Sequence, residues 1–177
     1  MFFQIPFKHI LKTIVAYGLP FAILISFVHY LLDGYIRPWS FILNFFGFGL
    51  FMGILTLYKQ REDLFQFTGG AILPEHWYPV QEKQVFSSMT PTEITEIIRN
   101  DSAFKKVKFQ VKKDKITCKT HSLDSFWGQR ILIEKKGFEN DQHIYRIRSQ
   151  SVFSLDQMSL SYNLRNVNRV AALIRAQ

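Results

Sequence analysis

The sequence has very little cysteine, with Cys118 as the single example in 177 residues. One cysteine cannot form an intramolecular disulfide, and this excludes the cross-linked framework that stabilises many small secreted domains. The composition is therefore compatible with a reducing compartment such as the cytoplasm.

The sequence also lacks the short motifs that carry common chemistry. It contains no phosphate-binding glycine loop, no dinucleotide-binding glycine fingerprint and no Gly-x-Ser-x-Gly elbow. Cys118 and His121 have Cys-x-x-His spacing, but no second ligand pair lies nearby to complete a zinc site. We therefore predict no catalytic residue, no metal ligand and no cofactor. An enzyme with an unfamiliar type of site is the less favoured alternative.

Formal charge is absent from two stretches of twenty residues, 13–32 and 39–58. Each is long enough to cross about 30 Å of hydrocarbon as a helix that rises about 1.5 Å per residue. A domain of this size could not cover two helices that are apolar on all sides, which disfavours a pair of buried core helices. Gly34 and Pro38 form a turn between the stretches, so residues 1–60 are predicted to form a transmembrane hairpin.

Basic residues flank this hairpin asymmetrically. Lys8 and Lys12 precede the first span. Lys59 and Arg61 follow the second span, whereas the connecting loop carries one arginine that is offset by one aspartate. The positive-inside rule then predicts a membrane protein with both termini in the cytoplasm.

Glycine recurs in the second span at Gly47, Gly49 and Gly53. Gly49 and Gly53 have the small-xxx-small spacing that lets two helix backbones approach closely. Their partner surface is either Gly18 or Ala22 of the first span, or else a second copy or another membrane protein. We interpret the three glycines as a candidate site of helix packing.

The remaining chain changes in composition and pattern. Residues 61–81 mix glycine, proline and aromatic residues and are interpreted as a linker to a domain at 82–177. In that domain a helix begins after Thr90, whose capping-box partner is Glu93. Period-two alternation predicts four strands, with a polar loop between the second and third, and a closing amphipathic helix. The predicted strands cover residues 107–112, 116–119, 130–135 and 143–149, and the loop covers 121–128.

The predicted fold class is thus a membrane α-helical hairpin plus an α+β domain. The domain consists of a helix, a four-stranded antiparallel sheet and a helix, with both helices packed on one face of the sheet.

The end of the chain carries a recognisable pattern. Tyr145–Ser151 ends in an Arg-Ser-x-Ser segment, Asp156 follows, and an Asn-bearing turn at residues 163–168 leads into the last predicted helix. Residues 145–174 thereby resemble the closing strand and helix of small uncharacterised bacterial domains. The resemblance implies a bacterial origin and a strand-to-helix ending, and it implies no activity.

The second part of the chain is basic. Residues 64–177 contain 17 Lys and Arg against 11 Asp and Glu. Beside a membrane such an excess favours anionic lipid headgroups as partners, whereas nucleic acid is not expected because the basic positions are not interleaved with exposed aromatic residues. An ordinary solvated surface is the alternative interpretation. The predicted basic face consists of Lys106, Lys108, Lys112, Lys119, Arg146 and Arg148.

Two hypotheses on function follow from these observations. In the first, the protein is a non-enzymatic accessory or scaffold subunit of an inner-membrane complex, and its hairpin packs against another membrane protein or a second copy. In the second, it is a membrane-tethered module whose basic sheet face binds anionic lipid or an acidic ligand. Both hypotheses have membrane lipid as an immediate neighbour.

Overall fold

Two compact units, Met1–Trp77 and Tyr78–Gln177, make up the chain in a computed structural model. We call them the hairpin unit and the sheet unit. The structure describes residues 5–105, 107–122, 125–152 and 160–175, without the side chains of 121–122 and 125–127. The boundary between the units falls within the segment interpreted as a linker.

The hairpin unit contains two long helices, α1 (Phe7–Asp33) and α2 (Pro38–Phe67). Both are long and apolar enough to cross a membrane, and only 22% of the apolar window of each is buried within the chain. A core helix of a soluble protein would bury most of such a surface. The two helices contain the predicted spans and are candidate membrane spans.

Helix α2 continues beyond its apolar stretch. It ends at Phe67, and a short 3-10 turn follows at Pro74–Trp77. The irregular structure predicted from residue 61 is therefore replaced by helix as far as residue 67. Gln60 and Leu64 are buried on the same side of α2, and the glycine and proline residues that break regular structure begin only at Gly69.

The two helices pack through their small residues. A Cβ atom added to Gly49 would lie 2.8 Å from the carbonyl oxygen of Ile14 and 3.2 Å from the Cα atom of Gly18. Gly53 is buried against Ile14 in the same contact. A Cβ atom added to Gly47, by contrast, would have nothing within 4 Å in the described part of the chain. Gly49 and Gly53 therefore pack within the hairpin, and Gly47 does not.

Polar side chains join α1 and α2 near both ends of the hairpin. Ser40 Oγ and His29 Nδ1 share a hydrogen bond of 3.3 Å, and Asn44 Nδ2 donates to Ser40 Oγ at 3.1 Å. At the other end, His9 Nε2 donates to Gln60 Oε1 at 3.0 Å. Each of these polar side chains thus has a hydrogen-bond partner inside the chain, as a helix surrounded by lipid requires.

We expect Gly49→Ala to destabilise the hairpin and Gly47→Ala to leave it intact. The added methyl group at 49 would push α1 and α2 apart, at a cost of about 1–3 kcal/mol in the free energy of unfolding. The methyl group at 47 meets open space and improves helix propensity. Denaturant-induced unfolding of the two variants in detergent micelles measures this difference, and equal stabilities would contradict the observed packing.

The sheet unit contains five antiparallel strands in the order β1-β5-β4-β3-β2. The α+β class is confirmed, but the prediction of four strands is wrong because β1 was not recognised. The strands are β1 (Val80–Ser87), β2 (Lys108–Lys112), β3 (Lys115–Ser122), β4 (Ser125–Glu139) and β5 (Gln142–Ser151).

Strand β1 escapes a pattern-based prediction because its inward positions are partly polar. Gln81 and Ser87 are buried on the core side, whereas Phe86 lies on the other face and is 47% exposed. The buried hydroxyl of Ser87 is satisfied by donating to the carbonyl oxygen of Ile174 at 3.3 Å. Buried hydrogen bonds therefore replace the apolar alternation that marks an ordinary strand.

Strand β4 is longer than the predicted strand at 130–135. It includes residues 125–128 of the predicted polar loop and extends to Glu139. The turn to β5 consists of Asn140 and Asp141, which have φ angles of 49° and 60°. These left-handed values suit a tight two-residue hairpin, so the turn needs no more residues than these two.

Two helices cover one face of the sheet, α3 (Pro91–Asn100) and α4 (Leu160–Arg175). The predicted capping box is confirmed, since Thr90 Oγ1 accepts from the Glu93 backbone N–H and the Glu93 carboxylate accepts from the Thr90 backbone N–H. The core between helices and sheet contains Ile94, Ile98, Ile131, Ile147, Val167 and Val170, all essentially inaccessible to solvent. The opposite face of the sheet is uncovered by α3 and α4.

Candidate anion-binding face of the sheet

We call the sheet face turned away from α3 and α4 the open face. Its residues alternate with the core positions: Ile116 and Cys118 of β3 point inward, so Lys115, Thr117 and Lys119 point outward. The register of the strands arranges these outward residues in rows that run across the sheet. Three such rows contain, among the described residues, seven Lys and Arg side chains and two carboxylates.

The first row brings three cations together on neighbouring strands. Lys108 of β2 lies opposite Lys119 of β3, and Lys119 lies opposite Arg130 of β4. The row continues with Gln150 of β5 and Val80 of β1, so it contains no carboxylate. All three cations are exposed, and none has an ion pair or hydrogen bond with the described residues. We call these three residues the tribasic row.

The third row also contains three cations, but it includes a carboxylate as well. Its members are Lys112, Lys115, Glu134 and Arg146, one from each of four neighbouring strands. Glu134 accepts from Lys115 Nζ at 2.8 Å and from Lys136 Nζ at 2.7 Å. These two hydrogen bonds lower the pKa of the Glu134 carboxyl to about 2. We call this set the paired row.

The row between them is mixed and partly apolar. It contains Gln110, Thr117, Leu132, Arg148 and Glu82. The Glu82 carboxylate accepts from Nη2 of Arg146 at 2.7 Å. Arg146 belongs to the paired row and lies diagonally across from Glu82. The Nε atom of Arg148 is buried without a hydrogen-bond partner in the described part of the chain. Both carboxylates of the three rows are therefore engaged away from the tribasic row.

The structure places most of the predicted basic residues on this face. Lys106 lies outside the described residues. The prediction omitted Lys115, Arg130 and the two carboxylates, although extending the alternation from Ile116 and Ile131 by one residue would have included both basic residues. The predicted residues that share the open face are Lys108, Lys112, Lys119, Arg146 and Arg148.

The Cys118 thiol, the other candidate group considered, lies on the buried side of the sheet. Cys118 is only 2% exposed, and burial raises the pKa of its thiol to about 12. A thiol in that environment is a poor nucleophile and a poor metal ligand. Among the described residues, no three His, Cys, Asp or Glu side chains are grouped to hold a metal ion. The side chain of His121 is outside the described set.

Comparison with known proteins found no matching family model, no matching curated protein and no matching solved structure.

We expect the ion pairs of Glu134 to make stability depend on acidity. Because the folded pKa lies below the ordinary value of 4.5, the carboxylate stabilises the fold above that pH and loses this effect as the pH falls towards 2. The melting temperature of the full chain should therefore fall less steeply below about pH 4.5 in Glu134→Gln than in the unaltered protein.

Circular dichroism of the detergent-solubilised chain measures this difference. Glu139→Gln is the matched control, because Glu139 is an exposed residue of the same strand with no ion pair among the described residues. Identical pH profiles for the Glu134→Gln and Glu139→Gln variants would refute the role of the paired carboxylate.

Proposed function

We propose that this protein is a membrane-anchored, non-enzymatic binding module. Its hairpin anchors the chain in a bacterial inner membrane, and the open face of its sheet unit binds anionic lipid headgroups. The observation that supports this proposal most directly is the excess of cations over carboxylates on one uncovered face. Such a surface is attracted to an anionic leaflet, and each Lys or Arg near the lipid contributes about 1 kcal/mol to the binding free energy.

Anionic lipid is favoured over other acidic partners because a hairpin anchor would keep it next to the sheet unit at all times. Tethering gives the sheet unit a high effective concentration at the membrane surface, so that even a weak electrostatic contact with lipid is populated. The flanking basic residues support a cytoplasmic location for both termini, and the cytoplasmic leaflet carries a negative surface potential. The non-enzymatic part of the proposal is supported by the absence of recognisable motifs from the sequence.

An environment-sensitive fluorophore on the open face tests this function. Gln110→Cys places one label in the middle row, exposed and between Lys108 and Lys112. The native thiol should not compete for the label, because Cys118 is buried and the pKa of its thiol is raised. In nanodiscs that contain phosphatidylglycerol we expect the emission to shift to the blue relative to phosphatidylcholine nanodiscs, and high salt should reverse the shift.

Glu96→Cys provides the control position. Glu96 is exposed on α3, which covers the other face of the sheet. Its label should report the same environment in both lipids. A blue shift of equal size at both positions, or no shift at residue 110, would argue against lipid binding by the open face.

A second candidate function is that of an accessory or scaffold subunit. Gly47 favours it, because this glycine lies outside the contact between α1 and α2 and leaves open space for another helix. In its simplest form the partner is a second copy of the chain. The packing of Gly49 and Gly53 inside the hairpin removes two of the three glycines that motivated this hypothesis, so we rank it second.

Cysteine cross-linking in membranes tests the second candidate. If two copies pack at Gly47, then Gly47→Cys should form a disulfide-linked dimer under mild oxidation. Ile23→Cys is the control, because Ile23 is 55% exposed on α1 and equally able to collide with another chain by chance. The same low yield of dimer at both positions would remove the support for self-association at this glycine.

A further inference from the structure

The tribasic row is an unusual arrangement for a surface that has only to remain soluble. Residues directly opposite each other on antiparallel strands have Cβ atoms about 4.5–5.5 Å apart, and like charges at that spacing destabilise the sheet. Lys119 has a cation on each side, from Lys108 and from Arg130. No carboxylate in the described part of the chain relieves this repulsion.

The paired row shows how the same sheet neutralises like charges elsewhere. Lys112 and Lys115 are also opposite each other, but Lys115 is held by Glu134 on the next strand. The equivalent position beside Lys119 is Arg130 instead of an acid. Both rows carry two lysines on β2 and β3, but on β4 the tribasic row has a cation where the paired row has a carboxylate. Among the described residues, only the tribasic row lacks an internal counter-ion.

We propose that Lys108, Lys119 and Arg130 form a site for the phosphate of an anionic phospholipid headgroup. This inference rests on the proposed function and localises it: lipid binding depends on the tribasic row and not on the total positive charge of the open face. The bound phosphate supplies the counter-ion that the row lacks.

The spacing and chemistry of the three residues fit such a ligand. Neighbouring strands are about 4.8 Å apart, so the three Cα positions span roughly 10 Å. Flexible side chains of lysine and arginine can converge over that width on one phosphate group. Arg130 offers a planar fork of donors to two oxygens, and the lysines act as mobile point charges on either oxygen. Gln150, the next residue of the row, adds an uncharged amide beside Arg130.

The test uses the full chain with the fluorophore at residue 110 in phosphatidylglycerol nanodiscs. Lys108→Gln and Lys112→Gln form a matched pair, because both residues are exposed on β2 and each lies two residues from the label. We expect Lys108→Gln and Lys119→Gln to weaken lipid binding about fivefold each, seen as reversal of the blue shift at lower salt. Lys112→Gln should change it by less than about twofold.

The outcome separates this inference from the proposed function. Equal weakening by Lys108→Gln and Lys112→Gln would overturn the site while leaving a diffuse basic surface that binds lipid. The absence of any lipid-dependent shift in the labelled protein without further substitutions would overturn both. Lys119→Arg keeps the charge and should restore binding, whereas loss of binding in that variant would contradict recognition through charge.

A second measurement detects the site without a label. In neutral detergent at low salt, Lys119→Gln should raise the melting temperature by a few degrees, because it removes repulsion on both sides. Lys112→Gln should raise it less. Added short-chain phosphatidylglycerol should stabilise the unaltered protein and not Lys119→Gln. Equal stabilisation by inorganic phosphate would identify a soluble anion as the ligand and refute the lipid headgroup.

Discussion

In the sheet unit, one face of every strand must meet the helices α3 and α4, and this requirement determines where the charges can lie. The side chains of a strand alternate with a period of two, so burying Ile116, Ile131 and Ile147 sends their neighbours to the opposite face. A shift of one residue in register would bury lysines in the core. The basic open face is therefore a consequence of how the core is packed, and it is as strictly specified as the core itself.

The same register divides the open face into regions of different electrostatic character. Glu134 lies where it neutralises two lysines, Lys115 on the neighbouring strand and Lys136 on its own. Four residues earlier on the same strand, Arg130 takes the place that an acid would need to occupy beside Lys119. One strand thus stabilises one end of the sheet surface and leaves the other end repulsive. A surface selected for stability alone would distribute its acids more evenly.

The sequence predicts much of this arrangement, because the positions of charged and apolar residues along the chain mark most of the helices and strands. Uncharged length predicts the two helices of the hairpin, and alternation predicts the basic strands of the sheet. Strand β1 was missed because hydrogen bonds satisfy buried polar residues such as Ser87, and a polar buried residue looks like a surface residue in a pattern. The row structure was also missed. It depends on which residues of different strands face each other, and pairing register is not encoded in the periodicity of any single strand.

The packing of α1 against α2 determines which glycines of the hairpin can contact another protein. Gly49 and Gly53 approach Ile14 so closely that a methyl group at residue 49 would overlap the backbone of α1, so neither glycine is available to another protein at the same time. The contact between α1 and α2 thus stabilises the hairpin without a partner. A hairpin that is complete in this way can serve as an anchor by itself, which agrees with the proposal that the sheet unit carries the specific recognition. Of the three glycines of α2, Gly47 alone lies outside the contact with α1, and the scaffold hypothesis depends on that single position.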